Sequence, residues 1–196
     1  MRPRRNRRRI EGREKGAPLV EIRRARIEDA DGLRLLLNSL AGEAEPWIRE
    51  VVIQLGEERE WIEGLIKDDR VHSKNGGKFL FFAFTEDKLV GHVNGMSWAH
   101  APKAIYDKLL QKHGLVGERP GHVGIAVHKD YRGQGIGTKL MERALQELQV
   151  MEVNVVTAVA NVDNKPSLSF LGKMGFAVYG REGDQVLLKR RVQCGE

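Results

Sequence analysis

Apolar residues in the first half of the chain change from helical to extended spacing. Alternating polar and apolar residues from 19 to 24 predict a first strand, and Leu33, Leu36, Leu37 and Leu40 recur at helical spacing. Pro46 suits the first turn of a second predicted helix, which carries a loose apolar stripe. Residues 78 to 85 and 88 to 98 flank Glu86-Asp87, and this pattern predicts a hairpin.

An inserted helix is predicted after the hairpin, at residues 101 to 113. We expect one face of this helix to carry Ile105, Leu109 and Leu110. The strand predicted at residues 122 to 128 has two different faces. Val123, Ile125 and Val127 point to one face, and His122, Gly124 and Ala126 point to the other. One face therefore suits a core and the other suits a ligand.

The rest of the chain alternates helices with strands. In order, a helix is predicted at 136 to 149, a strand at 153 to 160, a helix from Pro166 to Gly175, and short strands at 176 to 179 and 186 to 189. The whole order is strand, two helices, two strands, inserted helix, strand, helix, strand, helix and two strands. It predicts an α/β (α+β) fold with a mixed central sheet of about seven strands flanked by helices.

Composition indicates one soluble domain. Charged residues make up 31% of the chain and hydrophobic residues 41%, and no apolar run approaches a membrane span. The single cysteine, Cys194, excludes an intrachain disulfide and a thiolate metal cluster, so we expect no metal. A cytoplasmic location fits this cysteine content.

The positive charge is confined to the start of the chain. Residues 1 to 15 hold seven arginines and one lysine against two glutamates, which accounts for the whole net charge of +6. We expect residues 1–17 to form a basic, disordered tail and residues 18–196 to form the single domain. RNA, ribosome or acidic-lipid contact by the tail is the less favoured alternative. The tail has no apolar segment of a secretory signal.

A glycine-rich loop at residues 132 to 137 lies between a predicted strand and a predicted helix. Unpaired backbone N–H groups and the helix dipole make such a junction an anion site, and glycines let phosphate oxygens approach the backbone. A dinucleotide fingerprint would require glycine at position 138, which is Thr138. The Gly-Lys-Ser/Thr ending of a nucleoside triphosphate loop is also missing.

The loop and its surroundings resemble the acetyl-CoA pyrophosphate loop of the GNAT superfamily. Residues 132 to 137 fit the pattern Arg/Gln-x-x-Gly-x-Gly/Ala, and residues 123 to 131 are similar to the strand and turn that precede it in that family. A second segment, residues 164 to 176, resembles the family's Asn-x-x-Ala/Ser helix that ends in Lys-x-Gly-Phe. The resemblance implies an N-acetyltransferase that uses acetyl-CoA as co-substrate.

The resemblance also implies which residues hold acetyl-CoA. The pyrophosphate would bind the N–H groups of the loop, and pantetheine would pair with the backbone of the preceding strand. The implied acetyl-CoA contacts are Ile125, Ala126, Val127, Arg132, Gly133, Gln134, Gly135, Ile136, Gly137, Thr138, Asn161 and Asn164.

In this family the amine attacks the thioester directly in a ternary complex, so a base must remove the amine proton. His122 is the first candidate, because it stands where many relatives carry glutamate. The alternative is an ordinary histidine at the end of a strand. His92, His100 and His128 are weaker candidates, and a water chain needs no histidine. The family's acid tyrosine aligns with Leu171, so water or another group would protonate the thiolate.

The acceptor stays open at this point: a protein N-terminus, a lysine, a polyamine, an antibiotic or a small metabolite. Glu43, Glu45 and Trp47 could meet a cationic amine, although a solvated acidic face is the simpler reading. We expect the long segment from 99 to 120 to shape the acceptor pocket or a homodimer contact. A catalytically weak, CoA-binding regulatory module and an RNA- or ribosome-associated factor are the alternatives to an enzyme.

Overall fold

The computed structural model describes residues 19–41, residue 60 and residues 77–193. The predicted second helix, the residues Glu43, Glu45 and Trp47, the basic tail and Cys194 lie outside the described residues.

Seven strands and four longer helices make up the described chain, together with 3-10 turns at Ile27–Asp29, Trp98–His100 and Lys129–Tyr131. The strands are β1 (Glu21–Arg24), β2 (Lys78–Thr85), β3 (Lys88–Ser97), β4 (Pro120–Val127), β5 (Val155–Asn161), β6 (Ala177–Glu182) and β7 (Gln185–Arg191). The helices are α1 (Ala30–Ala41), α2 (Lys103–Lys112), α3 (Ile136–Val150) and α4 (Lys165–Lys173).

The strands form one mixed sheet in the order β1-β2-β3-β4-β5-β7-β6. All neighbouring strands pair antiparallel except β4 and β5, which run parallel. This arrangement confirms the predicted mixed sheet with helices around it. The predicted hairpin is also present, because Glu86 and Asp87 adopt positive φ values of 50° and 63° between β2 and β3.

The two faces of the sheet carry separate cores. Helix α3 packs on one face through buried residues that include Leu140 and Leu148, and the alternate residue Val123 of β4 joins this cluster. Helix α1 packs on the other face, where its four predicted leucines are all buried. The period-two pattern of β4 is therefore confirmed: its odd-numbered side chains face α3, and its even-numbered side chains face the side of α1.

Two details differ from the sequence predictions. Ile105 of α2 is 51% exposed, because this helix packs through Tyr106 and Leu110 instead. The last two strands are longer than predicted, with a turn at Gly183 and Asp184, because main-chain pairing continues through polar residues at the end of the hairpin. None of the helices in the described ranges is long and apolar enough to cross a membrane.

Candidate active site

Strands β4 and β5 separate halfway along their length. Their parallel pairing covers only three residue pairs and ends at His122 with Thr157. Strand β4 continues to Val127 along β3, and β5 continues to Asn161 along β7. Beyond His122, the edge of β4 that faces β5 therefore has no strand partner within the described chain. This leaves a gap in the middle of the sheet.

Alternation of the antiparallel ladder decides which backbone groups face this gap. The amide of His128 donates to the Val90 carbonyl, so Ala126, two residues earlier, also pairs toward β3. Ile125 and Val127 direct their N–H and C=O groups into the gap. The backbone groups of Ala126 belong to the β3 ladder, so a ligand in the gap would meet the backbone of Ile125 and Val127 on either side of it.

The glycine loop after β4 needs left-handed backbone at two positions. Gly133 has φ of +76° and Gly135 has φ of +80°, and no atom of the described residues lies within 4 Å of the position that a Cβ would take at either glycine. Glycine is required at these two positions because the backbone is left-handed, and not because a side chain would collide with a neighbouring residue. The open space around them keeps the loop backbone accessible to a ligand.

Helix α3 begins without a side-chain cap. Gly135 occupies the N-cap position, and the first helical bond runs from the Lys139 amide to the Gly135 carbonyl over 3.1 Å. The amides of Ile136, Gly137 and Thr138 have no acceptor among the described residues. Three unpaired donors at the positive end of a helix dipole form an anion site.

The helix start, the strand edge and α4 converge at this loop. Arg132 Nε donates to the Val127 carbonyl over 2.9 Å, and Gln134 Nε2 donates to the Asp130 carbonyl over 3.2 Å. A Cβ on Gly137 would lie 3.4 Å from the ring of Phe170, so α4 approaches the start of α3 closely. The anion site and the unpaired edge of β4 are therefore adjacent.

Asn161 and Asn164 stand at the other side of the gap, where β5 passes into α4. Asn161 Oδ1 accepts from the Asp163 amide over 2.9 Å. Asn164 is the N-cap of α4, and its Oδ1 accepts from the Ser167 amide over 3.1 Å. Both side-chain oxygens thus form local turns that fix the entry to α4.

Leu171, at the position of the family's acid tyrosine, is buried in the core between α4 and the sheet. It offers no proton donor there. Tyr131 packs against the same core and lies edge-on to His128, with ring centroids 5.6 Å apart.

His122 lies on the opposite face of the sheet from α3, at the point where β4 and β5 part. Its Nδ1 lies 3.2 Å from Thr157 Oγ1, and Thr157 Oγ1 donates to the Gly121 carbonyl over 2.9 Å. Burial lowers the pKa of His122 below the ordinary histidine value, so the ring is neutral at neutral pH. Nε2 has no hydrogen-bond partner in the described ranges.

The other histidines named from the sequence are placed differently. His92 is buried, neither ring nitrogen has a hydrogen-bond partner among the described residues, and burial lowers its pKa to about 4. His128 caps a turn, where its Nδ1 accepts from the Asp130 amide over 3.3 Å. His100 ends a 3-10 turn, and its side chain lies outside the described part of the structure.

The inserted segment covers the β5 side of the face that carries His122. Leu110 and Leu115 form a small cluster with Val155 of β5. His113 Nδ1 lies 3.1 Å from the hydroxyl of Tyr179, so the end of α2 is joined to β6. Thr157 and Val159 follow Val155 on the same face of β5. The segment therefore borders the surface next to His122.

Sequence reasoning missed Thr157, Asn94 and Phe170. Asn94 lies beside Gly124, where its Oδ1 is 2.9 Å from the position of an added Cβ. Thr157 contacts His122, Asn94 contacts Gly124 and Phe170 contacts Gly137, and each pair joins two different elements. No local spacing pattern in the sequence could have identified these contacts. Among the described residues, no group of three or more His, Cys, Asp or Glu side chains could hold a metal ion.

Two N-alpha-acetyltransferases are similar in sequence to part of this chain. N-alpha-acetyltransferase 30 of Schizosaccharomyces pombe is 37% identical over 104 residues, which cover 53% of this chain and 61% of that protein. N-alpha-acetyltransferase MAK3 of Arabidopsis thaliana is 38% identical over 52 residues, which cover 26% of this chain and 27% of that protein. The chain thus matches less than two thirds of the length of either relative.

Solved structures share the fold at low sequence identity. The PaiA N-acetyltransferase of Thermoplasma acidophilum, in complex with coenzyme A, superimposes with a TM-score of 0.65 at 16% identity and covers 89% of this chain and 99% of that one. The ribosomal-protein-alanine N-acetyltransferase of Brucella melitensis gives a TM-score of 0.66 at 19% identity, over 88% of this chain and 99% of that one. The acetyltransferase (GNAT) family matches residues 39–176. With more than half of its length matched, and with the glycine loop and the gap in the sheet inside that range, the chain belongs to the GNAT family of acetyltransferases.

Proposed function

We propose that this protein transfers the acetyl group of acetyl-CoA to a primary amine, by direct attack of the amine on the thioester. One observation carries the proposal: three unpaired amides at the start of α3 lie next to the unpaired edge of β4. A pyrophosphate needs the first feature, and an extended amide-containing arm such as pantetheine needs the second.

The residues present fit acetyl-CoA, which supplies an activated acetyl thioester. The amides of Ile136, Gly137 and Thr138 would bind the pyrophosphate, together with the backbone of the preceding loop. Ile125 would hold the pantetheine arm through its backbone N–H and C=O groups, and Val127 through its N–H, since Arg132 already donates to the Val127 carbonyl. One of these N–H groups would also donate to the thioester carbonyl oxygen and stabilise the charge that develops there.

Two further groups would act around the reacting atoms. His122 would accept the amine proton at Nε2, because the ring is neutral and lies where the two strands separate. Asn161 and Asn164 would contact the co-substrate from the entry to α4. Because Leu171 is buried and apolar, water would protonate the departing thiolate, whose conjugate acid has a pKa near ~8.5.

The acceptor that these groups favour is the N-terminal α-amine of a peptide or protein. An α-amino group has a pKa of about 7.7 to 8.0, against about 10.4 for a lysine side chain. A histidine whose pKa is lowered is a weak base, so it suits the amine that holds its proton less tightly. The names of the two relatives, both N-alpha-acetyltransferases, point to the same class.

Release of CoA from acetyl-CoA tests the proposal directly. We expect turnover with peptides that carry a free N-terminus, and little with the same peptides after N-terminal acetylation. Lysine-containing peptides with blocked N-termini, polyamines and small amines complete the panel. If CoA binds tightly but no amine gives turnover, the protein is a CoA-binding regulatory module instead. If RNA binding depends on residues 1 to 17 and acetyl transfer is absent, the basic tail carries the function.

Gly135→Asp tests the pyrophosphate site. A carboxylate at the N-cap would occupy the anion site and repel phosphate, so we expect acetyl-CoA affinity to fall by at least about tenfold. Gly117→Asp is the matched control, because Gly117 has a similar φ of +84° and also has no atom within 4 Å. Calorimetric titration with CoA measures both variants. Equal affinities for the two variants would contradict the site.

A further inference from the structure

Thr157 and His122 form the last residue pair of the parallel ladder between β4 and β5. Thr157 is 2% exposed, so its hydroxyl has no access to bulk water and must satisfy its hydrogen bonds within the protein. Its Oγ1 makes two contacts, one of 2.9 Å to the Gly121 carbonyl and one of 3.2 Å to His122 Nδ1. The positions of the protons in this chain of contacts can be deduced.

Only one proton assignment makes both contacts hydrogen bonds. A threonine hydroxyl has one proton, and a carbonyl oxygen can only accept. If the hydroxyl donated to His122, its oxygen and the Gly121 carbonyl oxygen would face each other without a proton between them. The hydroxyl therefore donates to Gly121, and Nδ1 of His122 must carry the proton that Thr157 accepts.

We propose that Thr157 is a positioning residue that holds His122 as the Nδ1–H tautomer and thereby leaves the lone pair on Nε2 for the acceptor amine. This inference rests on the proposed function, in which His122 is the base. In a neutral imidazole one nitrogen donates and the other accepts, so fixing Nδ1 fixes Nε2.

The arrangement also serves the step that follows. Proton transfer breaks one N–H bond of the attacking amine and forms an N–H bond at Nε2, which gives an imidazolium with both nitrogens protonated. The Nδ1–H bond to Thr157 persists in that charged form. The same hydroxyl therefore orients the ring before and after it takes the proton, and the Gly121 carbonyl polarises the chain of bonds in the favourable direction.

His92 is a useful comparison with His122, because its ring has no hydrogen-bond partner like Thr157 among the described residues. It lies on the same face of the sheet as His122, and neither of its nitrogens has a hydrogen bond within the described residues. No described residue therefore selects one tautomer of His92. Gly124 and Ala126 share the face of β4 with His122, and Asn94 Oδ1 lies against Gly124 on that face, 2.9 Å from the position of an added Cβ.

Nitrogen NMR of the histidine-labelled protein tests the tautomer without any turnover, because the ¹⁵N shifts distinguish a protonated from an unprotonated ring nitrogen. The His122 signals are assigned by their loss in His122→Gln. At neutral pH we expect Nδ1–H and an unprotonated Nε2 in the wild type and in Thr157→Ser. Thr157→Val, which keeps the shape and removes the hydroxyl, should lose the single tautomer. A wild-type Nε2–H signal overturns the proposal whatever the activity.

Kinetics separate a positioning role from a structural one. With a peptide acceptor, we expect kcat to fall about tenfold in Thr157→Val with KM for acetyl-CoA unchanged, and Thr157→Ser to restore most of it. Equal kcat in Thr157→Val and the wild type overturns the role of Thr157. If His122→Gln keeps full activity, His122 is not the base and Thr157 has no positioning role. If the wild type turns over no amine, the proposed function itself is refuted.

Discussion

At the scale of single residues, Gly95 lies where a side chain has no room. An added Cβ would be 2.5 Å from Cζ of Phe79 and 2.8 Å from the carbonyl oxygen of His122. The ring belongs to the core, and the carbonyl belongs to the strand that carries the proposed base. We expect Gly95→Ala to lower the free energy of unfolding by about 1 to 3 kcal/mol, measured by urea denaturation.

Gly172 gives the matched control for this substitution. It lies in the last turn of α4, is exposed, and has no atom within 4 Å of an added Cβ. Because alanine favours the helix over glycine, Gly172→Ala should leave stability unchanged or raise it by up to about 1 kcal/mol. A Gly95→Ala protein as stable as Gly172→Ala would contradict the close approach.

The glycines also show how far single residues can be read from the sequence. Gly133 and Gly135 were recognised because a loop between a strand and a helix explains them locally, and their positive φ values agree. No local sequence pattern indicates that Gly95 must be a glycine. Its constraint comes from Phe79 on the neighbouring strand β2 and from His122 on β4, and these contacts depend on the register of the sheet.

At the scale of elements, an ion pair joins β1 to the turn that starts α1. Both terminal nitrogens of Arg23 contact the carboxylate of Asp29, over 2.8 and 2.7 Å, and the Arg26 amide donates to the same group over 2.8 Å. Asp29→Ala should destabilise the protein by about 2 kcal/mol, because Arg23 loses its partner and the turn loses its cap. Thermal or urea unfolding at neutral pH measures the loss.

The contribution of the Arg23–Asp29 ion pair to the stability of the protein depends on pH. Burial raises the pKa of Asp29, but the hydrogen bonds from Arg23 and Arg26 outweigh it, so the folded-state pKa lies below the ordinary value. The contribution is therefore complete above the unfolded pKa of about 3.9 and is lost as pH falls through the folded pKa. Asp31→Ala, which removes an exposed carboxylate, should change stability little. Equal losses in the two variants would refute the pair.

Most elements could be predicted because their patterns are local. The helical spacing of the four leucines placed α1, and Glu86-Asp87 placed the hairpin turn. The helix α2 was predicted, but its buried face was not, because Ile105 and Tyr106 are equally acceptable apolar positions until Val155 and Trp98 provide the surface. Thr157 could not be linked to His122 from the sequence, because 35 residues separate them and only the parallel register joins them.

At the scale of the whole molecule, His92 makes stability depend on pH. The ring is buried with no hydrogen-bond partner in the part of the chain that the structure describes, and its pKa is lowered to about 4 because burial disfavours the charged form. The unfolded chain, with a histidine pKa of about 6.5, binds the proton first. This contribution to stability is therefore present above about pH 6.5 and declines as pH falls, by about 2 kcal/mol between pH 7 and 5.

His92→Leu tests that dependence. Leucine has a similar volume and no polar atoms to leave unsatisfied, so the variant should be as stable as the wild type or more stable at pH 7. Its advantage should grow at pH 5, where urea unfolding of both proteins gives the comparison. A variant that loses as much stability as the wild type on acidification would show that His92 does not titrate in the folded protein as its burial requires.

The gap between β4 and β5 divides the sheet into two parts, β1 to β4 and β5 with β7 and β6, that share only three residue pairs. A ligand arm that hydrogen-bonds across the gap would add the rungs that the polypeptide omits. The free energy of unfolding would then rise with ligand concentration, since binding to the folded state alone stabilises it by mass action. A bound co-substrate would thus complete hydrogen bonding in the centre of the sheet. In the free protein, β4 and β5 are joined by only three residue pairs.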